Sequence, residues 1–151
     1  MASTLTASTF QIKIKEEHVV KNVKTLNETV LKIGNVTNVD RRIVTCPQTT
    51  SINLINANGE NPGAGTFPSS SIQYLRVSNL DNEYNLAVTF KASGSDAYWT
   101  QEVLPTSSIM YSGANATGSQ FVGSFSGSAL ETVDVYAISG SIDVEYVLVN
   151  A

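Results

Sequence analysis

The sequence has one cysteine, one histidine, one tryptophan and four prolines in 151 residues, and only 15% of its residues are charged. A single cysteine excludes an intrachain disulfide and a thiolate metal cluster. Cys46 and His18 are the one thiol and imidazole available for nucleophilic catalysis, but they carry no local motif, and His18 lies in a polar stretch beside Glu16 and Glu17. Cys46 is therefore expected to be a small buried residue and His18 a solvated one. No apolar run approaches the roughly 18 residues of a spanning helix, so no membrane partner is expected. The opening MASTLTASTF has neither a cationic start nor an apolar core, which points to synthesis in a cytoplasm rather than through a secretory signal.

Catalytic and cofactor motifs are equally scarce. The chain has no Gly-x-Ser-x-Gly elbow, no His-Glu-x-x-His pair and no glycine-rich phosphate loop. Thirteen carboxylates can be paired in many ways, so their spacing gives no acid and base couple. Asp81 and Glu83 are expected to serve a turn rather than calcium, since no EF-hand pattern surrounds them. The sequons at Asn27, Asn35 and Asn115 are read as chance in a chain rich in Asn and Thr. The expectation is no enzyme, no catalytic residues, no metal and no cofactor.

What the sequence has in quantity is short runs of period two. Phe10, Ile12 and Ile14 alternate with Gln11, Lys13 and Lys15, an amphipathic strand. The stretch SIQYLRVSNLDNEYNLAVTF, residues 71–90, sets two apolar runs about a cluster of Asn and Asp, and reads as a β-hairpin. Leu86, Val88 and Phe90 should share one face. Further strands are expected at residues 41–45, 52–54, 97–103, 109–111, 121–125 and 133–137, and the final SIDVEYVLVN should put its apolar face in a core. Residues 16–34 are two-sided: Val19, Val23, Leu26, Val30 and Ile33 fall at helical spacings, yet β-branched residues and Asn22 and Asn27 lower helix propensity. Strands and turns are favoured there.

Nine or ten short strands with turns every ten or so residues predict an all-β protein, a jelly-roll-like β-sandwich with an N-terminal amphipathic arm. Residues 1–42 are assigned to the arm and first strands, not an independent domain, and residues 43–151 to the sandwich body. Residues 1–9 are expected to be a leader and residues 55–71, with three glycines and two prolines, a long loop. Charge divides the chain in the same place. Residues 1–42 hold seven basic and four acidic side chains, net +3, and the rest two basic and nine acidic, net −7. The asymmetry has two readings: ordinary solvation of an amphipathic strand, which is favoured, and contact with something acidic, such as the body of a neighbouring copy. A net acidic chain without an aromatic and basic cluster makes nucleic acid an unsuitable partner.

Four segments, FQIKIKEEHVV, VDRRIVTCP, IQYLRVSNLDNEYNLAVTF and VYAISGSIDVEYVLVN, together resemble small β-rich virion proteins of tailed phages. The similarity is one of layout over most of the chain, and residues 20–36 and 56–71 match least. The resemblance implies a capsid decoration or cement protein, made in the host cytoplasm and placed on the capsid surface of the virion. It further implies the major capsid protein as partner and a homo-oligomer, a trimer. The candidate contacts to capsid or sister subunits are Phe10, Ile12, Lys13, Ile14, Lys15, Lys21, Lys24, Arg41 and Arg42. The alternative is a tail accessory protein or a carbohydrate-binding module for host attachment, with Tyr98 and Trp99 as the glycan platform.

Overall fold

A computed structural model describes residues 8–57, 72–92, 98–112 and 130–151. Ten strands run in chain order: β1 Ser8–Val20, β2 Val23–Val36, β3 Asn38–Cys46, β4 Ser51–Asn56, β5 Ile72–Asn79, β6 Leu86–Ala92, β7 Tyr98–Val103, β8 Ser108–Ser112, β9 Leu130–Ala137 and β10 Ile142–Asn150. The all-β expectation holds. Residues 1–7 of the expected leader, most of the long loop, and the strand at 121–125 lie outside the described residues, whereas Ser8 and Thr9, also assigned to the leader, already belong to β1 and its pairing with β2.

Residues 16–34 belong to a long two-stranded ribbon of β1 and β2. Val20 pairs with Val23, and the two residues between them, Lys21 and Asn22, have φ of 49° and 63°. Left-handed dihedrals at both central positions define a tight hairpin turn whose twist matches that of the strands. Asn tolerates that region well, and with it the β-branched residues settle into strands rather than a helix.

The remaining strands form two antiparallel four-stranded sheets, ordered β3-β10-β5-β8 and β4-β9-β6-β7. A single buried cluster joins them in a sandwich-like arrangement. Leu75, Val77, Val144, Tyr146 and Leu148 enter it from the first sheet, and Leu86, Val88, Phe90, Val133 and Val135 from the second. Each such aliphatic or aromatic side chain contributes about 1.5–3 kcal/mol on leaving water. Leu86, Val88 and Phe90 do share the core face, and Cys46 is fully buried with its thiol 3.4 Å from the Thr50 carbonyl oxygen. Burial pushes that thiol's pKa up, so it is kept protonated and unreactive.

The expected hairpin over residues 71–90 is not formed. β5 and β6 lie in different sheets, and β6 pairs instead with β7 and β9. The turn formers build a crossing between the sheets. Asn79 accepts the Asp81 N–H at 3.0 Å and donates to the carbonyls of Tyr84 and Val103 at 2.8 and 3.1 Å. Asp81 accepts the N–H groups of Glu83 and Tyr84, both at 2.7 Å. Those two backbone donors hold the Asp81 carboxyl below its usual pKa, which makes it a turn cap, as expected from its neighbours.

β10 departs from the single buried face expected of a cleanly alternating strand: from Val144 to Asn150 every residue is buried. Val144, Tyr146 and Leu148 face the main core, whereas Val147 and Val149 lie on the outer face in a second buried cluster with Tyr74 and Val36. The base of the ribbon covers them, through Phe10, Ile12 and Ile33. A central strand with both faces covered reads as a continuous apolar run.

Candidate functional site: the exposed ribbon

The register of the ribbon assigns its side chains to two faces. Phe10, Ile12, Ile14, Glu16, His18 and Val20 share one face with Ile33, Leu31, Thr29, Asn27, Thr25 and Val23, because directly paired residues of an antiparallel ladder point the same way. The proximal part of this face is the docked part. The Phe10 and Tyr74 rings lie 5.9 Å apart. Beyond it, every residue from Lys13 to Lys32 is exposed. Val20 and Val23 at the tip remain 59% and 64% exposed, and Val19, Leu26 and Val30 lie bare on the opposite face.

The lysines accompany these apolar residues. Lys13 approaches Glu28 at 3.7 Å and Lys24 approaches Glu17 at 2.9 Å. Both are solvent-exposed pairs, worth a fraction of a kcal/mol at most. Lys15 lies on the same face as Lys13, and Lys21 occupies the turn itself. Of the residues singled out from sequence, Phe10 and Ile12 are thus committed to the protein's own sandwich, while Lys13, Ile14, Lys15, Lys21 and Lys24 lie on the bare length.

Arg41 and Arg42 stand apart from them, on β3. Arg41 Nε donates to Glu145 at 2.7 Å, and Arg76 Nη2 donates to the other carboxylate oxygen at 2.6 Å. Arg42 pairs with Asp40 at 3.0 Å, and the Tyr146 hydroxyl donates to the same Asp40 at 2.8 Å. Burial first and then the Asp40 carboxylate hold the Tyr146 hydroxyl well above the usual pKa of a tyrosine. These arginines are tied into the first sheet by internal partners.

Tyr98 and Trp99 are consecutive on the edge strand β7, so they address opposite faces. Tyr98 is 71% exposed, whereas Trp99 pairs with Phe90 and stacks on its ring at 5.1 Å with an interplanar angle of 24°. The two aromatics do not make one platform.

Two clefts border these surfaces. One of about 560 Å³ lies at the ribbon's root, lined by Leu31, Ile33, Gly34, Asn35 and Gln73 among others. The other, about 320 Å³, is bordered by Arg76, Ser78, Leu80, Thr106 and Glu145. The Glu145 carboxylate there is already engaged by both arginines, so it has no free role as a base. Among the described residues no cluster of three or more His, Cys, Asp or Glu side chains is arranged to hold a metal.

What sequence reasoning missed is the bare apolar set at Val19, Val20, Leu26, Leu31 and their neighbours, read there as elements of an ambiguous segment. The available trace was a run of β-branched residues with apolar positions on no single face. No known family model matches the chain, and a search of curated proteins finds no significant match.

Proposed function

We propose that this is a non-enzymatic structural protein of a phage virion, a capsid decoration or cement protein that binds the major capsid protein as a homotrimer on the capsid surface. The observation that carries the reading is the ribbon from Lys13 to Lys32, exposed throughout and bearing bare valines and leucines among lysines. A two-stranded ribbon alone is marginal in water, so a long apolar one is suited to a partner that supplies its third layer. We read the body as a jelly roll. The strand order β3-β10-β5-β8 facing β4-β9-β6-β7, with consecutive strands mostly alternating between sheets, supports two interleaved Greek keys. In this reading the ribbon is the N-terminal arm. A capsid repeats one site many times, so a modest affinity per arm gains from multivalency.

The experiment is a shortened ribbon in which residues 15–28 are replaced by Asn-Gly, joining Ile14 to Thr29 across a two-residue turn and leaving the docked base intact. The body should fold as before, and copy number in purified particles, measured by mass spectrometry against the major capsid protein, should collapse. Undiminished occupancy would overturn the attachment role. The second reading, a carbohydrate-binding module or tail accessory protein, draws on the exposed edge of Trp99. Trp99→Ala that abolishes glycan binding in a folded protein would favour it.

A further inference from the structure

The loop end of the sandwich, opposite the ribbon's root, has the complementary chemistry to the ribbon. The root is fixed where Thr37 N–H donates to the Asn150 carbonyl at 2.9 Å. At the other end of the same strands three connections meet. Thr106 N–H donates to the Asp81 carbonyl at 2.9 Å, and Leu80 N–H to the Asp143 carbonyl at 2.9 Å. Gly140 lies directly against the Tyr84 ring. This end carries Asp81, Glu83, Glu102 and Asp143, and among the described residues no ion pair engages any of them. Leu80, Leu104 and Ile138 stand exposed among them.

The ribbon presents the converse. Between Lys13 and Lys32 five lysines face three glutamates, net +2, whereas residues 37–151 hold four basic and ten acidic side chains, net −6. Its bare apolar residues match the bare leucines and isoleucine of the loop end. The eight residues of β1 from Lys13 to Val20 extend roughly 26 Å at about 3.3 Å each, enough to cross the ends of two sheets packed about 10 Å apart.

Resting on the reading of the ribbon as an attachment element, we propose that the distal ribbon of one copy docks on the acidic, apolar loop end of a second copy. The two patches differ, so the contact is heterologous: each copy gives a ribbon and receives one, and a ring closes the set. Docking removes apolar surface from water on both sides and brings lysines to carboxylates that carry no ion pair within the described residues, which favours the correct partner and its orientation.

Charge reversal tests it. The full-length protein should be multimeric by light scattering coupled to size exclusion. Lys21→Glu with Lys24→Glu, or Glu83→Lys with Glu102→Lys, should each give folded monomers. An equimolar mixture of those two doubly substituted proteins should associate where neither does alone, and the protein carrying all four changes should multimerise again. A full-length protein that stays monomeric at its highest soluble concentration, or a multimer that neither reversal disturbs, overturns the proposal. A monomer that still loads onto particles through its ribbon removes the second-copy contact alone, whereas full loading of the shortened-ribbon variant removes the attachment reading itself.

Discussion

Replacing Glu145 with Gln isolates the charge that organises the outer face of the first sheet. The Glu145 side chain is only 8% exposed, yet it faces two guanidinium groups, Arg41 and Arg76, from the strands on either side of β10. Burial by itself pushes its pKa up, but the hydrogen bonds and charges of Arg41 and then Arg76 together outweigh that and hold the carboxyl below its usual range. A hydrogen bond between charged groups is worth about 1.5–3 kcal/mol, less where a partner such as Arg41 rehydrates readily. Gln keeps the shape and loses the charge, so a loss of about 1–2 kcal/mol is expected at neutral pH. For a chain of this length that lowers Tm by roughly 2–8 °C. The sign follows from linkage: with the folded pKa below the unfolded value of about 4.3, the stabilisation is complete above that value and fades as pH falls through the folded one. Urea unfolding followed by the fluorescence of Trp99, the sole tryptophan, should show the two proteins separated at neutral pH and converging in acid. Equal midpoints at neutral pH, or a gap that widens in acid, would refute the reasoning.

Three further substitutions probe other parts of the fold. Tyr146→Phe deletes the hydroxyl donated to Asp40 at 2.8 Å and should cost about 1–3 kcal/mol in urea unfolding; an unchanged midpoint would mean that Arg42 alone satisfies the carboxylate. Gly140→Ala drives a methyl group into the Tyr84 ring and should cost about 1–3 kcal/mol, a cost that should vanish in a Tyr84→Ala background; an undiminished cost there would place the strain elsewhere. Phe10→Ala should speed amide hydrogen exchange in β1 and β2 while leaving β5, β6 and β10 as protected as before, and a uniform increase would show that the ribbon's base supports the whole sandwich.

Local patterns were legible in proportion to how local their causes are. Leu86, Val88 and Phe90 announce one buried face because β6 has polar solvent on its other side. The terminal strand announced its burial too, although its second covered face needed the ribbon to be in place. The connection after β5 shows the limit. Asn79, Asp81, Asn82 and Asn85 say that the chain reverses, but not which sheet receives it. That choice is made by partners distant in sequence: Val103, whose carbonyl accepts from Asn79, and Val144, which pairs with it. A hairpin and a sheet crossing present the same turn residues, and only long-range pairing separates them.

The ribbon was ambiguous in sequence for a physical reason that bears on its use. A strand that serves its own core keeps apolar residues on one face, and a helix keeps them on one stripe. Val20, Val23 and Leu31 lie on one side of the ribbon and Val19, Leu26 and Val30 on the other, so neither template fits cleanly. Nothing in the described sandwich covers the distal length, and the turn at Lys21 and Asn22 still holds both strands in register. Selection for this chain's own stability would remove such residues or bury them, since exposed apolar strands with free edges invite unwanted pairing. Lysines distributed along both strands limit that pairing while leaving the valines and leucines bare, a combination suited to a selective docking element and superfluous in a solvated loop.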